Sequence, residues 1–136
     1  MSNTLRRGRQ LVYNLHVHLV FVTKYRGKVF TKEVSDDVEL SFKEVCRKFE
    51  SELVEFNGES DHVHLLVSYP PKVSVSALVN SLKGVSSRMI RKKEYHSVDS
   101  KLWGDALWSP SYFASSCGGA PIDILRQYIE QQDNPS

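Results

Sequence analysis

Four of the five histidines in this 136-residue chain occur as two His-x-His pairs, His16 with His18 and His62 with His64. Both pairs lie in alternating apolar runs that predict β-strands. Side chains two residues apart on a strand point to the same face, so each pair presents two imidazoles side by side, a suitable start for a metal site. The spacing leaves open which pair would bind a metal. A single pair of this kind is usually a chance or surface arrangement.

A tyrosine and a glutamine occur at helical spacing near the end of the chain. Ile124, Tyr128 and Gln132 lie on one face of a helix predicted over residues 121–132. If this helix packs on the histidines, two imidazoles and an amide oxygen converge. That donor set suits Mg²⁺ or Mn²⁺ in an enzyme acting on phosphates, with Zn²⁺ as an alternative, and the tyrosine is a potential nucleophile. The simpler alternative is a tyrosine at the edge of the core and a solvated glutamine.

The elements that must position these residues follow the order β-α-β-β-α-β-α. Strands are predicted at residues 11–23, 53–56, 62–69 and 112–117, and amphipathic helices at 34–49 and 75–90, with a turn at Asn57-Gly58 and a loop at 94–110. This order predicts an α+β fold, a ferredoxin-like or RRM-like βαββαβ antiparallel sheet with one helix appended at the C-terminus. In this topology the first and third strands are central and adjacent.

Alternation along these two strands assigns all four paired histidines to one face of the sheet. The two amphipathic helices are expected to cover the other face, which carries Leu15, Val17, Leu19, Phe21, Val63, Leu65 and Val67. The histidine face also carries Val20, Val22 and Leu66. Because this face is half apolar, we expect the C-terminal helix to cover it.

Composition sets the outer limits. The length fits one domain over residues 1–136, and 40% hydrophobic residues suffice for a packed core. No apolar run approaches the roughly 18 residues of a membrane span, and no secretory signal is visible. The two cysteines form no CxxC pattern, so neither a disulfide framework nor a cysteine metal site is indicated. The expected compartment is the cytoplasm.

The net charge of +2 is the sum of opposed segments. Residues 1–30 and 83–93 contain basic residues and no acid, whereas residues 31–61 contain ten acidic and four basic residues. Two basic segments on one side of the fold would form a nucleic-acid-binding surface. Ordinary solvated helix faces and a loose basic tail over residues 1–10 are the alternative.

Five short segments carry a resemblance to a known family. They are HLVFVTKYR at 18–26, DHVHLL at 61–66, LKGVSSR at 82–88, LWSPSY at 107–112 and QYIEQQ at 127–132. Each is weak alone, but in this order and at these separations they are specific and span nearly the whole chain. The sequence thus resembles the small single-tyrosine transposases of the HUH superfamily, and more narrowly the insertion-sequence two-hundred/six-hundred-and-five group.

The resemblance implies a transposase that cleaves and rejoins single-stranded DNA at insertion-sequence ends through a 5′-phosphotyrosine intermediate. It implies that His62, His64 and Gln132 hold a divalent metal, Mg²⁺ or Mn²⁺, and that Tyr128 on the helix 121–132 is the nucleophile. His18 matches a position where the family commonly has histidine without a ligand role, and His16 is expected to be structural. No nucleotide cofactor is implied.

The resemblance also implies partners. We expect single-stranded DNA with hairpin ends, and a homodimer in which the tyrosine helix of one subunit completes the partner's site. Candidate DNA-binding residues come from the basic segments: Lys24, Arg26, Lys83, Arg88 and Arg91. One alternative is a domesticated repeat-associated tyrosine transposase that processes genomic hairpins by the same chemistry. Another is a non-catalytic nucleic-acid-binding module, which would need exposed aromatic residues where this sequence has histidines.

Overall fold

The structure, a computed structural model, describes residues 6–7, 11–24, 29–99, 107–116 and 129–130. Its elements in chain order are β1 (Arg6–Arg7), β2 (Val12–Tyr13), β3 (His16–Val22), α1 (Lys32–Lys48), β4 (Glu52–Gly58), β5 (His62–Ser68), α2 (Val75–Lys92), α3 (His96–Asp99) and β6 (Phe113–Ser116). Four strands form an antiparallel sheet in the order β4-β5-β3-β6. The predicted α+β sheet, with the first and third predicted strands central and adjacent, is confirmed.

The hydrophobic core lies between the sheet and the two long helices. The sheet contributes alternate residues of the central strands: Val17, Leu19, Phe21, Val63, Leu65 and Val67. The helices contribute Val34, Val38, Phe42 and Val45 from α1 and Leu78, Val79, Leu82 and Ile90 from α2. The predicted assignment of faces is therefore confirmed for these residues. Leu15, predicted on the covered face, instead lies outside β3 and is 36% exposed.

Both long helices begin at a hydroxyl cap. The Thr31 Oγ1 accepts a hydrogen bond from the backbone N–H of Val34, and the Ser74 Oγ accepts one from the N–H of Ala77, each at 3.2 Å. These caps satisfy donors that have no partner within the helix, and they fix where each helix begins. Among the helices of the described ranges, none is long and apolar enough to cross a membrane.

The predicted strand over residues 11–23 is divided in two. Residues 12–13 form β2, which pairs with β1 in a separate two-stranded sheet, and β3 begins at His16. The segment predicted as a loose basic tail therefore contains a paired strand at Arg6–Arg7. Between the two pieces, the carbonyl of Leu15 accepts the N–H of Tyr69 at 3.1 Å, which anchors the break to the end of β5.

The predicted turn at Asn57-Gly58 is wrong. Both residues lie in β4, where they pair with His64 and Val63, and the chain turns at residues 59–61. A Cβ at residue 58 would meet the Ser35 Oγ at 2.3 Å, so the glycine permits the close approach of α1 rather than a turn. The predicted loop at 94–110 contains the four-residue helix α3. The predicted helix over 121–132 lies outside the described residues, apart from Ile129 and Glu130, which are helical.

Candidate functional site

Two of the predicted ligands, His62 and His64, lie side by side on the central strand β5. Their ring centroids are 4.9 Å apart, with the ring planes at 72°. Val63 and Leu65, which alternate with them, are buried in the core, and this burial directs both imidazoles to the opposite face. The strand that carries the pair has a hydrogen-bonded neighbour on each side, so the two rings are held on a rigid support.

A carboxylate orients the first imidazole. The Asp61 Oδ1 lies 2.8 Å from the Nδ1 of His62, and Asp61 is only 4% exposed. An ionised carboxylate can only accept, so the hydrogen of this contact lies on Nδ1, and in the neutral ring Nε2 then has the lone pair that a ligand needs. The backbone carbonyl of Asp61 in turn accepts hydrogen bonds from Thr23, from its N–H at 2.9 Å and its Oγ1 at 3.0 Å. This carboxylate–histidine pair is typical of the outer shell of a metal site.

The second imidazole is held in its neutral form. Burial, with smaller contributions from the charges of His62 and His18, lowers the pKa of His64 from 6.5 to about 4. An unprotonated imidazole is the form that binds a metal, so His64 needs to release no proton near neutral pH.

His18 belongs to the same cluster, whereas His16 does not contact the pair on β5. The ring of His18 stacks on that of His64, with centroids 5.7 Å apart and planes at 24°. Its Nδ1 is buried without a hydrogen-bond partner, and burial lowers its pKa against an opposing effect of Glu55. His16 is buried opposite Ser68, at the other end of β3 from the pair.

The register of the strands determines which residues surround the histidine pair. His64 lies between Asn57 on β4 and Val20 on β3, and Val20 is in turn opposite Phe113 on β6. Val20 is fully buried although it lies on the histidine face, which agrees with the expectation that this face is covered. Tyr128 and Gln132 lie outside the described residues. Within the described ranges, no group of three or more His, Cys, Asp or Glu residues is arranged to hold a metal ion.

Three of the predicted DNA-binding residues, Lys83, Arg88 and Arg91, lie on α2 at the helix-covered side of the sheet, whereas Lys24 follows the end of β3. The Lys83 Nζ donates to the backbone carbonyls of Ser109 and Ser111, both at 2.8 Å, and burial lowers its pKa to about 8. Arg88 is exposed, and Arg91 is half-buried with its Nη1 unpartnered. The Lys24 side chain is half-buried, and its backbone N–H donates to the Leu107 carbonyl.

Arg26 lies outside the described residues. Asp61 is the contributor that sequence reasoning missed, although a carboxylate directly before a His-x-His strand could have indicated it.

A family model described as "Transposase IS200 like" matches residues 11–132. This chain belongs to the IS200-like transposase family. Among curated relatives, the ISDra2 transposase TnpA of Deinococcus radiodurans is 34% identical over 128 residues, which cover 94% of this chain and 91% of that protein. The transposase for insertion sequence element IS200 of Salmonella typhimurium is 30% identical over 120 residues, covering 88% and 78%.

Solved structures agree with the membership. A crystal structure of a Deinococcus radiodurans R1 protein assigned as a transposase superposes with a TM-score of 0.82 at 33% identity, over 93% of this chain and 97% of that one. A REP-associated tyrosine transposase bound to a REP hairpin shares the fold, with a TM-score of 0.57 at 13% identity over 96% and 69%. The IS200-like chain is therefore a transposase, an enzyme that processes DNA, and the resemblance drawn from its five motifs is confirmed at the level of the family.

Proposed function

We propose that this transposase cleaves and rejoins single-stranded DNA at insertion-sequence ends, with Tyr128 as nucleophile and a divalent metal on His62, His64 and Gln132. The observation that carries the proposal is the oriented imidazole pair on β5, with Asp61 behind His62 at 2.8 Å. A strand with a purely structural role does not need a buried carboxylate to orient one of its histidine rings. A metal site does, because the ring must present its lone pair in a defined direction.

The donor set fits Mg²⁺ or Mn²⁺. Two imidazoles come from one strand, and the amide oxygen of Gln132 would complete three protein ligands with further positions left open. When bound there, such an ion polarises a phosphate oxygen and stabilises the charge that develops on it. Asp61 holds His62 in the required tautomer, and the burial of His64 keeps that ring unprotonated.

The proposed chemistry is a transesterification. The Tyr128 Oη attacks phosphorus, a bond forms between them, and the bond from phosphorus to the 3′ oxygen breaks. The phenolic proton is lost to solvent, and the departing 3′ oxygen takes up a proton to become a hydroxyl. A 3′-hydroxyl of another strand later attacks the phosphotyrosine, so the ester bond is conserved and no nucleotide cofactor is consumed.

DNA is the proposed partner. The relative with the shared fold is bound to a REP hairpin, and this chain concentrates basic residues on α2 and before residue 30. We propose recognition of single-stranded DNA with hairpin ends by Lys24, Arg26, Lys83, Arg88 and Arg91. Phosphate contacts of this kind make the affinity fall steeply with salt concentration. We also propose a homodimer in which the tyrosine helix of one subunit completes the site of its partner.

The test is a cleavage assay on a single-stranded oligonucleotide that carries an insertion-sequence end. Wild-type protein should cleave it with Mn²⁺ and not with EDTA, while Tyr128→Phe and His64→Ala should each be inactive. Mixing these two variants should restore one active site per dimer if the sites are shared. Cleavage by Tyr128→Phe at the wild-type rate would exclude the proposed nucleophile, and absence of rescue would place each site within one subunit.

A further inference from the structure

A second feature of the molecule is a pocket of about 370 Å³ between α2 and the segment 107–112. Its lining includes Asn80, Lys83, Gly84, Arg88, Trp108 and Tyr112. Tyr112 packs edge-on against Phe21, a residue of the helix-covered face, with centroids 6.4 Å apart. The pocket therefore lies on the opposite side of the sheet from the histidine pair, and none of the proposed ligands contributes to it.

The walls of this pocket are held together by hydrogen bonds. The backbone N–H of Leu107 donates to the Ser87 Oγ at 3.2 Å, and the Trp108 Nε1 donates to the Ser86 Oγ at 2.9 Å. The Lys83 ammonium donates to the carbonyls of Ser109 and Ser111. Four hydrogen bonds thus join one wall to the other, so the pocket is preformed rather than dependent on a ligand for its shape.

The chemistry of the lining suits an anionic, flat ligand. Lys83 and Arg88 supply positive charge, and none of the described residues that line the pocket is acidic. An ammonium has three donors, and only two of those on Lys83 are used by the carbonyls. The Lys83 ammonium lies 5.5 Å from the centroid of the Tyr112 ring, so a cation and an aromatic ring are adjacent in the lining, and Asn80 adds an amide that can both donate and accept. Cationic groups beside aromatic rings are the combination that binds single-stranded nucleic acid.

A glycine in the middle of α2 supports this interpretation independently. Glycine is among the least favourable residues in a helix interior, yet residue 84 lies near the centre of the helix Val75–Lys92. A Cβ built there would meet only the Nη1 of Arg88, at 3.3 Å, among the described atoms within 4 Å. The packing of the helix against its neighbours does not require glycine. The absence of a side chain at residue 84 leaves space in the pocket beside the Arg88 guanidinium.

We propose that this pocket binds one unpaired nucleotide of the DNA strand, with its phosphate at Arg88 and its base against Tyr112. The proposal rests on the proposed function, since it names a contact of the same DNA substrate outside the cleavage site. Strand register supports the connection. Tyr112 directly precedes β6, and Phe113 lies two strands from His64, which is about 10 Å at the usual spacing. A short stretch of one DNA strand that passes over the edge of β6 can reach both the pocket and the histidine pair.

The central test substitutes Gly84→Ala and measures stability and DNA binding together. The substitution should raise the midpoint temperature of unfolding by a few degrees, because alanine favours the helix. It should also weaken the binding of a fluorescein-labelled single-stranded oligonucleotide of mixed sequence by about tenfold, because the added methyl group occupies the space beside Arg88 and removes a charge-assisted hydrogen bond to the phosphate. Higher stability with unchanged DNA affinity would overturn the proposal, because the space beside Arg88 would then have no ligand.

A charge-matched pair of variants tests the phosphate contact. Arg88→Gln should reduce the dependence of log affinity on log salt concentration by about 0.7, the value for one phosphate of a single strand. Arg47→Gln on α1 removes the same charge from an exposed residue paired with Glu44, and should leave the dependence unchanged. Equal effects of the two variants would overturn the proposal.

Failure of the pocket proposal and failure of the proposed function give different results. If the pocket proposal alone is wrong, the wild-type protein cleaves DNA and Gly84→Ala binds the oligonucleotide like the wild type, while Arg88→Gln still binds it more weakly because Arg88 is also a proposed phosphate contact. If only the proposed chemistry is wrong, the wild-type protein forms no covalent adduct, yet both variants still bind the oligonucleotide more weakly than it does.

Discussion

Replacement of Asp61 tests the link between the fold and the metal site. Asp61→Asn removes the charge of the carboxylate that lies 2.8 Å from the His62 Nδ1 and keeps an oxygen that can accept the same hydrogen bond. The bonds from Thr23 to the Asp61 carbonyl involve the backbone and are retained. Asp61→Ala removes both the charge and the acceptor, so His62 loses its orienting partner.

The expected magnitudes follow from these contacts. Loss of an outer-shell partner of a metal-binding histidine typically costs roughly 10–100-fold in metal affinity. Asp61→Asn should lie at the lower end, about tenfold or about 1.4 kcal/mol, because the bond remains but is no longer charge-assisted. Asp61→Ala should lie at the upper end, about 100-fold or about 2.7 kcal/mol, because the ring is also free to rotate.

Calorimetric titration with Mn²⁺ measures these affinities directly. Asp36→Asn is the matched control, since Asp36 is an exposed residue of α1 that pairs with Lys32 at 3.0 Å, and it should bind Mn²⁺ like the wild type. Circular dichroism establishes that each variant is folded. Folded Asp61→Ala protein with wild-type Mn²⁺ affinity would refute the reasoning, because the Asp61–His62 contact would then have no role in ligand binding.

Three further predictions concern titration and packing. Because the folded pKa of Lys83, about 8, is below its unfolded value near 10.4, the unfolded state binds more protons between these values and stability should rise with pH there. Urea unfolding should show that the free energy of unfolding rises from about pH 8 to about pH 10 in the wild type and rises less in Lys83→Met. Equal slopes of this free energy against pH in the two proteins would contradict the prediction. In metal-free buffer, the NMR titration of His64 should have its midpoint near 4, and a midpoint near 6.5 would contradict its burial. Leu65→Ala, at a core position, should lower the free energy of unfolding by about 2–5 kcal/mol, whereas Leu40→Ala, which is 60% exposed, should change it by less than about 0.5 kcal/mol; equal costs would contradict the assignment of faces.

The parts of the fold that the sequence predicts are those set by local periodicity. Alternation along β3 and β5 assigns Phe21 and Leu65 to the core and His64 to the opposite face, because a half-buried strand must alternate. Contacts between distant segments are not visible in such a pattern. The break before β3 depends on pairing with Arg6–Arg7, and Gly58 follows the approach of α1 rather than a turn.

In the candidate site, too, local spacing predicts some features, whereas contacts between distant residues determine others. The histidine pair is visible as a spacing, but the role of Asp61 depends on a side-chain contact that the spacing does not specify. Lys83 looks like a surface cation in the sequence, yet in the structure it joins α2 to the segment 107–112 through two carbonyls. The pocket beside it is formed by two groups of residues that lie twenty or more positions apart, so no local pattern indicates it.

The central claim is that Tyr128 becomes covalently joined to DNA at a site built on His62 and His64. The most direct measurement incubates the wild-type protein with a single-stranded insertion-sequence end and Mn²⁺, then maps the adduct by mass spectrometry after protease and nuclease digestion. The proposed chemistry predicts one nucleotide-modified peptide, with a 5′-phosphate on Tyr128, that is absent from His64→Ala protein. Cleaved DNA without a protein adduct, or an adduct on another residue, would contradict it.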